Sequence, residues 1–128
     1  MPPSFLCELY IDTEDGAEEI ERSVNQATRE AFLDLDVSVV IYRNEDFEPS
    51  ARQRSPYSAI ECSRYYAEVA AIGAPIGRLE EFQVGTAALV RGLRAGGRFV
   101  SASCDFEEVI ASLTGWNWSR DQAEPPGR

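Results

Sequence analysis

The 128-residue sequence contains neither histidine nor lysine, so all 12 basic side chains are arginines. Histidine is the usual general base near neutral pH and a frequent zinc and haem ligand, and its absence excludes Ser-His-Asp and Cys-His sites. Without lysine the chain has no Schiff-base amine and no P-loop lysine. We therefore expect a non-catalytic protein that holds no cofactor and no metal ion.

Long apolar runs are also missing. No stretch approaches the roughly 20 residues of a transmembrane helix, and the Met-Pro-Pro-Ser start lacks the basic and apolar regions of a signal peptide. We therefore expect a cytoplasmic protein. Cysteine is scarce, with three residues, Cys7, Cys62 and Cys104, and no CxxC spacing. Each lies in an apolar stretch, which indicates buried thiols rather than disulfides or zinc ligands.

Acidic side chains dominate the charge that is present. The 22 aspartates and glutamates outnumber the arginines and give a net charge of -10. Residues 1–48 alone hold 13 acids and 3 arginines. This charge disfavours nucleic acids and anionic membranes, because phosphate contacts need clustered cations. It favours a basic protein partner, whose encounter a negative field accelerates.

The first third of the chain predicts two strands separated by a helix. Residues 5–11 alternate between apolar and polar side chains, which is typical of a strand. Asp15 and Glu18 have the spacing of a capping box, which predicts a helix start at Asp15. An apolar stripe extends this helix to about residue 33. The β-branched residues 37–42 predict the second strand.

Residues 57–71 leave two alternatives, a long strand with a bulge near Arg64 or a helix. Residues 78–95 then predict a helix, with acids early and arginines late, as the helix dipole favours. Gly85 and Gly92 share one face of this helix, and we expect them to let it approach a sheet closely.

The last predicted elements are a buried strand over residues 99–104 and a short helix. Asp105 and Glu108 repeat the capping-box spacing at the start of that helix. The complete order predicts an α+β fold, namely a ferredoxin-like βαββαβ sandwich. This plan has a four-stranded antiparallel sheet, helices on one face and a short C-terminal helix, and the alternative is a mixed sheet with another strand order. We expect one domain over residues 1–118 and a polar, flexible tail over residues 119–128.

Two resemblances bear on function. Residues 89–108 include the segment Phe-Val-Ser-Ala-Ser-Cys-Asp-Phe-Glu-Glu and resemble small uncharacterised bacterial cytosolic proteins, in which a strand leads into Cys-Asp-Phe-Glu. The whole chain is similar to small acidic immunity proteins of bacterial toxin systems, although its Gly-Trp-Asn-Trp ending departs from them. The second resemblance implies a protein that neutralises a basic toxin by covering it, and it supplies no catalytic residue.

Two functional hypotheses follow, each with its own candidate residues. A binding protein would contact a basic partner through acids of the first helix, loop arginines and aromatic anchors. These candidates are Glu18, Glu19, Glu21, Arg52, Arg54, Trp116 and Trp118. Alternatively, a dimeric ferredoxin-like enzyme or small-ligand-binding protein would form a pocket on its sheet face. Those candidates are Tyr10, Tyr42, Arg43, Arg64 and Tyr66. A homodimer, or an interface within a larger assembly, would use the same open sheet face.

Overall fold

The computed structural model describes residues 5–50 and 59–117. Their elements, in chain order, are β1 (Leu6–Asp12), α1 (Ala17–Ala31), β2 (Ser38–Arg43), α2 (Ala59–Cys62), β3 (Tyr65–Ala70), α3 (Leu79–Ala95), β4 (Phe99–Ser103) and α4 (Glu107–Thr114). A 3₁₀ turn, Ile76–Arg78, leads into α3. The strands form one antiparallel sheet in the order β2-β3-β1-β4. The predicted α+β class and four-stranded antiparallel sheet are therefore confirmed.

The core lies between one face of this sheet and the helices. Alternate side chains of each strand point to that face, and those of β1 (Cys7, Leu9 and Ile11) are completely buried. Helix α3 contributes Phe82, whose ring centroid lies within 6.0 Å of the rings of three other phenylalanines, Phe5, Phe32 and Phe106. Burying one such ring stabilises a fold by about 1.5–3 kcal/mol, so Phe82 is a major contributor to packing.

Side chains bond to the backbone at one edge of the sheet. At the β4 edge, the backbone N–H of Ala102 donates to Asn117 Oδ1 at 2.8 Å, and Asn117 Nδ2 donates to the Ala102 carbonyl at 3.0 Å. Arg94 donates two hydrogen bonds to the neighbouring Val100 carbonyl. These side chains occupy the backbone groups through which another strand would pair. On β2, the strand at the other edge of the sheet, the side chains of Val40 and Tyr42 are exposed.

Both predicted capping boxes are wrong. Helix α1 begins at Ala17 after the N-cap Gly16, and helix α4 begins at Glu107 after the N-cap Phe106, with no side-chain capping bond in either case. Asp15 instead forms an ion pair with Arg98, with 2.7 Å between its Oδ2 and Arg98 Nε. The long-range partner stabilises the carboxylate more strongly than a local amide group would.

Residues 57–71 combine parts of both predicted alternatives. The described part of this segment starts with the four-residue helix α2, turns at residues 63–64, and continues as β3. The predicted helix over residues 78–95 is confirmed as α3. Its two glycines face α1 rather than the sheet: a Cβ on Gly85 would collide with the Phe32 ring, and one on Gly92 would lie 3.7 Å from Ala27. The proposed tail, residues 119–128, lies outside the described residues.

Candidate functional site

A row of three tyrosines crosses the sheet face opposite the helices. Tyr42 on β2 pairs with Tyr66 on β3, and Tyr66 pairs with Tyr10 on β1. Directly paired residues of antiparallel strands project to the same face, so their rings are neighbours. The ring centroids of Tyr42 and Tyr66 are 4.9 Å apart with the rings stacked, and those of Tyr66 and Tyr10 are 5.9 Å apart. The strand register therefore builds a continuous aromatic surface.

Two carboxylates lie beside this row on the same strands, each two residues away from a tyrosine. Glu8 on β1 is directly paired with Glu68 on β3. Like charges placed opposite each other on adjacent strands destabilise a sheet, so this arrangement has a cost for the free protein. Glu8 also accepts a hydrogen bond from the Tyr10 hydroxyl at 3.4 Å. We call the surface formed by Glu8, Tyr10, Tyr42, Tyr66 and Glu68 the acidic tyrosine face.

Burial and nearby carboxylates act on the tyrosine hydroxyls of the acidic tyrosine face. Burial and then the charge of Glu8 raise the pKa of Tyr10 above its ordinary value. Burial and then the charge of Glu68 do the same to the pKa of Tyr66. Two acids of the loop after β2, Glu45 and Asp46, act on these hydroxyls in the same direction. A potential that opposes tyrosinate formation also favours a bound cation.

The acidic tyrosine face is open to solvent. Tyr42 is 38% exposed, and the flanking apolar side chains Val40 and Leu6 are 46% and 45% exposed. Apolar and aromatic side chains in one patch on a solvent-facing sheet are typical of an interaction surface.

The residues predicted for a ligand pocket are only partly brought together. Tyr10, Tyr42 and Tyr66 share the face described above. Arg43, however, pairs with the core-facing Tyr65 and therefore projects to the helical side. Arg64 lies beyond the strand end, with its guanidinium 5.3 Å from the centre of the Phe47 ring.

Arg64 and Phe47 also line a cleft of 210 Å³ at the end of β1, together with Asp12, Thr13, Glu14, Glu48, Pro49 and Cys62. Within residues 5–50 and 59–117, no group of three or more histidine, cysteine or carboxylate side chains has a geometry that could hold a metal ion. None of the three tyrosines is among the residues that line the cleft, so the cleft and the tyrosine row are separate features, and Arg64 belongs to the cleft.

The acids predicted for partner binding are all solvent-exposed on α1, where Glu18, Glu19 and Glu21 accompany Arg22 and Arg29. Helix α1 contacts α3 and lies near β2. This surface presents carboxylates interspersed with arginines, and its negative charge is accordingly less uniform than that of the sheet face.

The aromatic anchor predicted beside those acids lies elsewhere. Trp116 follows α4 and is half-buried under Arg94, whose guanidinium carbon is 3.6 Å from the ring centroid. Burial lowers the pKa of Arg94 to about 10, so it remains a cation at neutral pH. The contact of Trp116 is thus with Arg94 of α3, the helix packed beside α1. The other three candidates, Arg52, Arg54 and Trp118, lie outside the described residues.

Sequence reasoning missed Glu8, Glu68 and Asn117. The alternation of β1 shows that Glu8 faces away from the core, but only the pairing of β1 with β3 places Glu68 opposite it. Asn117 follows Trp116, which drew attention first, yet Asn117 is completely buried whereas Trp116 is half-buried. A buried asparagine with both amide groups bonded is a structural clamp.

No family model, curated protein or solved structure matches this chain. The resemblance to acidic immunity proteins accordingly stays a prediction. Among the helices that the structure describes, none has the length and apolar character required to cross a membrane.

Proposed function

We propose that this protein is a non-catalytic binding protein whose acidic tyrosine face docks onto a basic surface of another protein. The observation that carries the proposal is the stacked row of Tyr10, Tyr66 and Tyr42 beside the paired carboxylates Glu8 and Glu68. Together these side chains offer aromatic area and negative charge at one place.

An arginine or lysine side chain is the chemistry that fits this face. A guanidinium group stacks on a tyrosine ring with a gain of about 0.5–2 kcal/mol, depending on how far the contact is desolvated. Its N–H groups can at the same time donate to a carboxylate, and such charge-assisted bonds are the stronger class. A cation placed between Glu8 and Glu68 also relieves their mutual repulsion. Binding therefore compensates for a cost that the free protein carries.

The alternative, a dimer with two sheet faces enclosing a ligand pocket, has less support. Packing two copies face to face would bring two Glu8–Glu68 pairs into one interface. Burying carboxylates without cationic partners is strongly unfavourable. The arginines Arg43 and Arg64 point away from the centre of the face and do not supply those partners.

A basic toxin is one class of partner that meets these requirements. An acidic inhibitor with a net charge of -10 is attracted to a basic enzyme over a long range, which raises the rate of encounter. Covering the toxin requires no catalytic group on the inhibitor. The resemblance to acidic immunity proteins points in the same direction, and we place the toxin-neutralising role within the proposal on that basis.

We also infer that the fold is ferredoxin-like. The βαββαβ order of the main elements supports this inference, as does the position of β1 and β3 in the middle of the sheet with β2 and β4 at its edges. In this plan one sheet face is packed by helices and the other is free for contact. The acidic tyrosine face is that free face.

The location of binding can be tested with two charge-matched variants. The double variant E8Q/E68Q removes two negative charges from the acidic tyrosine face, and E18Q/E21Q removes two from α1. An arginine–glycine repeat peptide is the probe, and isothermal titration calorimetry at low salt gives its affinity. We expect E8Q/E68Q to bind about 2- to 30-fold more weakly, since each surface contact is worth roughly 0.2–1 kcal/mol.

The α1 variant serves as the control because its net charge changes by the same amount. It loses only the long-range attraction that both variants share, and its affinity should fall less. If E18Q/E21Q weakens binding more than E8Q/E68Q does, the partner binds the helix face and the proposed site is wrong. Equal losses would also contradict the proposal, because they would indicate attraction by net charge alone.

A further inference from the structure

Two cysteines far apart in the sequence meet on the helix-covered side of the sheet. Cys7 lies on β1, and Cys104 immediately follows β4. The last residues paired between these strands are Glu8 and Ser103, so the next position outward sets Cys7 opposite Cys104. The Cys104 side chain packs against the buried core to which Cys7 belongs. The strand register thus places the two cysteine side chains next to each other on the same face of the sheet.

The backbone geometry at this position suits a disulfide. At Ala102 the N–H and C=O point away from β1 to Asn117, so Leu9 and Ala102 form a pair without mutual hydrogen bonds. Cys7 and Cys104 lie two positions further along and are a pair of the same kind. Such pairs have a Cα–Cα distance of about 4.5 Å, at the short end of the range of about 4.4–6.8 Å seen for disulfides. A bridge can therefore form without separating the strands.

The two thiols differ in accessibility. Cys7 is completely buried, whereas Cys104 is partly exposed at the end of β4. The neighbouring Cys104 thiol, burial and the nearby Glu107 carboxylate raise the pKa of Cys7 above its ordinary value. An oxidant from solution consequently reaches Cys104 first, and Cys7 is positioned to react with the product.

We propose that Cys7 and Cys104 form a reversible redox site that a hydroperoxide oxidises to an intramolecular disulfide. The Cys104 thiolate attacks one peroxide oxygen and the O–O bond breaks. When the oxidant is hydrogen peroxide, a sulfenic acid and a hydroxide ion result, and the hydroxide takes a proton from solvent to become water. The Cys7 sulfur then attacks the sulfenic sulfur, the S–O bond breaks, and a second water leaves with the Cys7 proton. The two thiols lose two electrons, which reduce the peroxide. A dithiol reverses the reaction by exchange. This site is independent of the proposed binding function.

The third cysteine allows a clean experiment. Cys62 lies on α2 beside the cleft, away from this pair, and the variant Cys62→Ala leaves only the two thiols of interest. The folded variant is treated with hydrogen peroxide, alkylated under denaturing conditions and analysed by mass spectrometry before and after digestion. We expect an intact mass about 2 Da lower, no alkylated cysteine, and a peptide that links Cys7 to Cys104. Treatment with dithiothreitol should restore both alkylation sites.

Wild-type protein is mapped in the same way, as a control for any effect of the Cys62→Ala substitution. Its linked peptide should contain Cys7 and Cys104, and Cys62 should remain alkylatable. Oxidation should become faster as pH rises, because the reactive form is the thiolate. The proposal is overturned if Cys104 gains oxygen atoms while Cys7 remains a free thiol. It is equally overturned if Cys62 enters the bridge, or if the folded protein forms no bridge under conditions that oxidise the urea-unfolded chain.

Discussion

Replacing Asn117 by alanine should destabilise the fold more than any substitution of an exposed polar residue. Its side chain is completely buried and forms two hydrogen bonds to the backbone of Ala102, at 2.8 and 3.0 Å. The variant loses both bonds and leaves an amide and a carbonyl of β4 without their protein partner. It also opens the β4 edge to strand pairing with other molecules.

The size of the effect follows from these two bonds. An intramolecular hydrogen bond contributes about 0.5–1.5 kcal/mol net, and leaving buried partners unsatisfied adds to the loss. We therefore expect the free energy of unfolding to fall by about 2–4 kcal/mol. With a urea dependence of about 2 kcal/mol per molar, the middle of the range for a small domain, the unfolding midpoint should drop by roughly 1–2 M.

Urea unfolding followed by far-ultraviolet circular dichroism measures this change without depending on the neighbouring tryptophan. The matched control is Asn25→Ala, because Asn25 is exposed on α1. Its substitution should alter the free energy of unfolding by less than about 0.5 kcal/mol. If both variants unfold at the same urea concentration as the wild type, the clamp does not stabilise the sheet and the description of this edge is wrong.

Three further predictions test other parts of the structure. Gly85→Ala should destabilise the fold by about 1–3 kcal/mol, because its methyl group would meet a buried phenylalanine ring. Gly92→Ala should be neutral or stabilising by up to about 1 kcal/mol. Thermal unfolding of the two variants measures the difference. Burial raises the pKa of Asp15, but hydrogen bonds from its arginine and threonine partners lower it by more. The pKa of Asp15 therefore lies below its ordinary value of 3.8. Its ion pair with Arg98 therefore stabilises the fold above pH 3.8 and is lost as pH falls further. The substitution Asp15→Asn should lower the free energy of unfolding by about 1–2 kcal/mol at pH 7. Urea titrations should show this difference between variant and wild type shrinking towards pH 2. Glu68→Gln should stabilise the free protein by about 0.2–1 kcal/mol, measured by the same urea method, and a destabilisation would show that the paired carboxylates do not repel.

The regular elements were predictable because their signals are local. The alternation of β1 and the apolar stripe of α1 need only the period of a strand or a helix, and both appear in the structure with ends shifted by one or two residues. Helix α3 was equally clear from its charge polarity and its terminal glycines. The short helix α2 was not, because four residues contain too little periodicity to separate a helix from a strand.

Features that depend on which strands become neighbours were beyond the sequence. Asp15 has the spacing of a helix cap, but the folded chain brings Arg98 to it from 83 positions away. The same holds for the acidic tyrosine face: each strand reveals which of its residues point outward, but not which residue of another strand lies opposite. The three tyrosines could therefore be predicted as site residues from the sequence, but the two carboxylates beside them could not.

The most direct test of the central claim is a map of the contact surface by nuclear magnetic resonance. The ¹⁵N-labelled protein is titrated with the arginine–glycine repeat peptide, and backbone amide shifts are followed at each residue. If the peptide binds the acidic tyrosine face, the largest changes should fall on β1 and β3 around Glu8, Tyr10, Tyr66 and Glu68, and they should diminish as salt is added. Changes centred on α1, or spread evenly over all acidic surfaces, would show that the peptide does not bind this face.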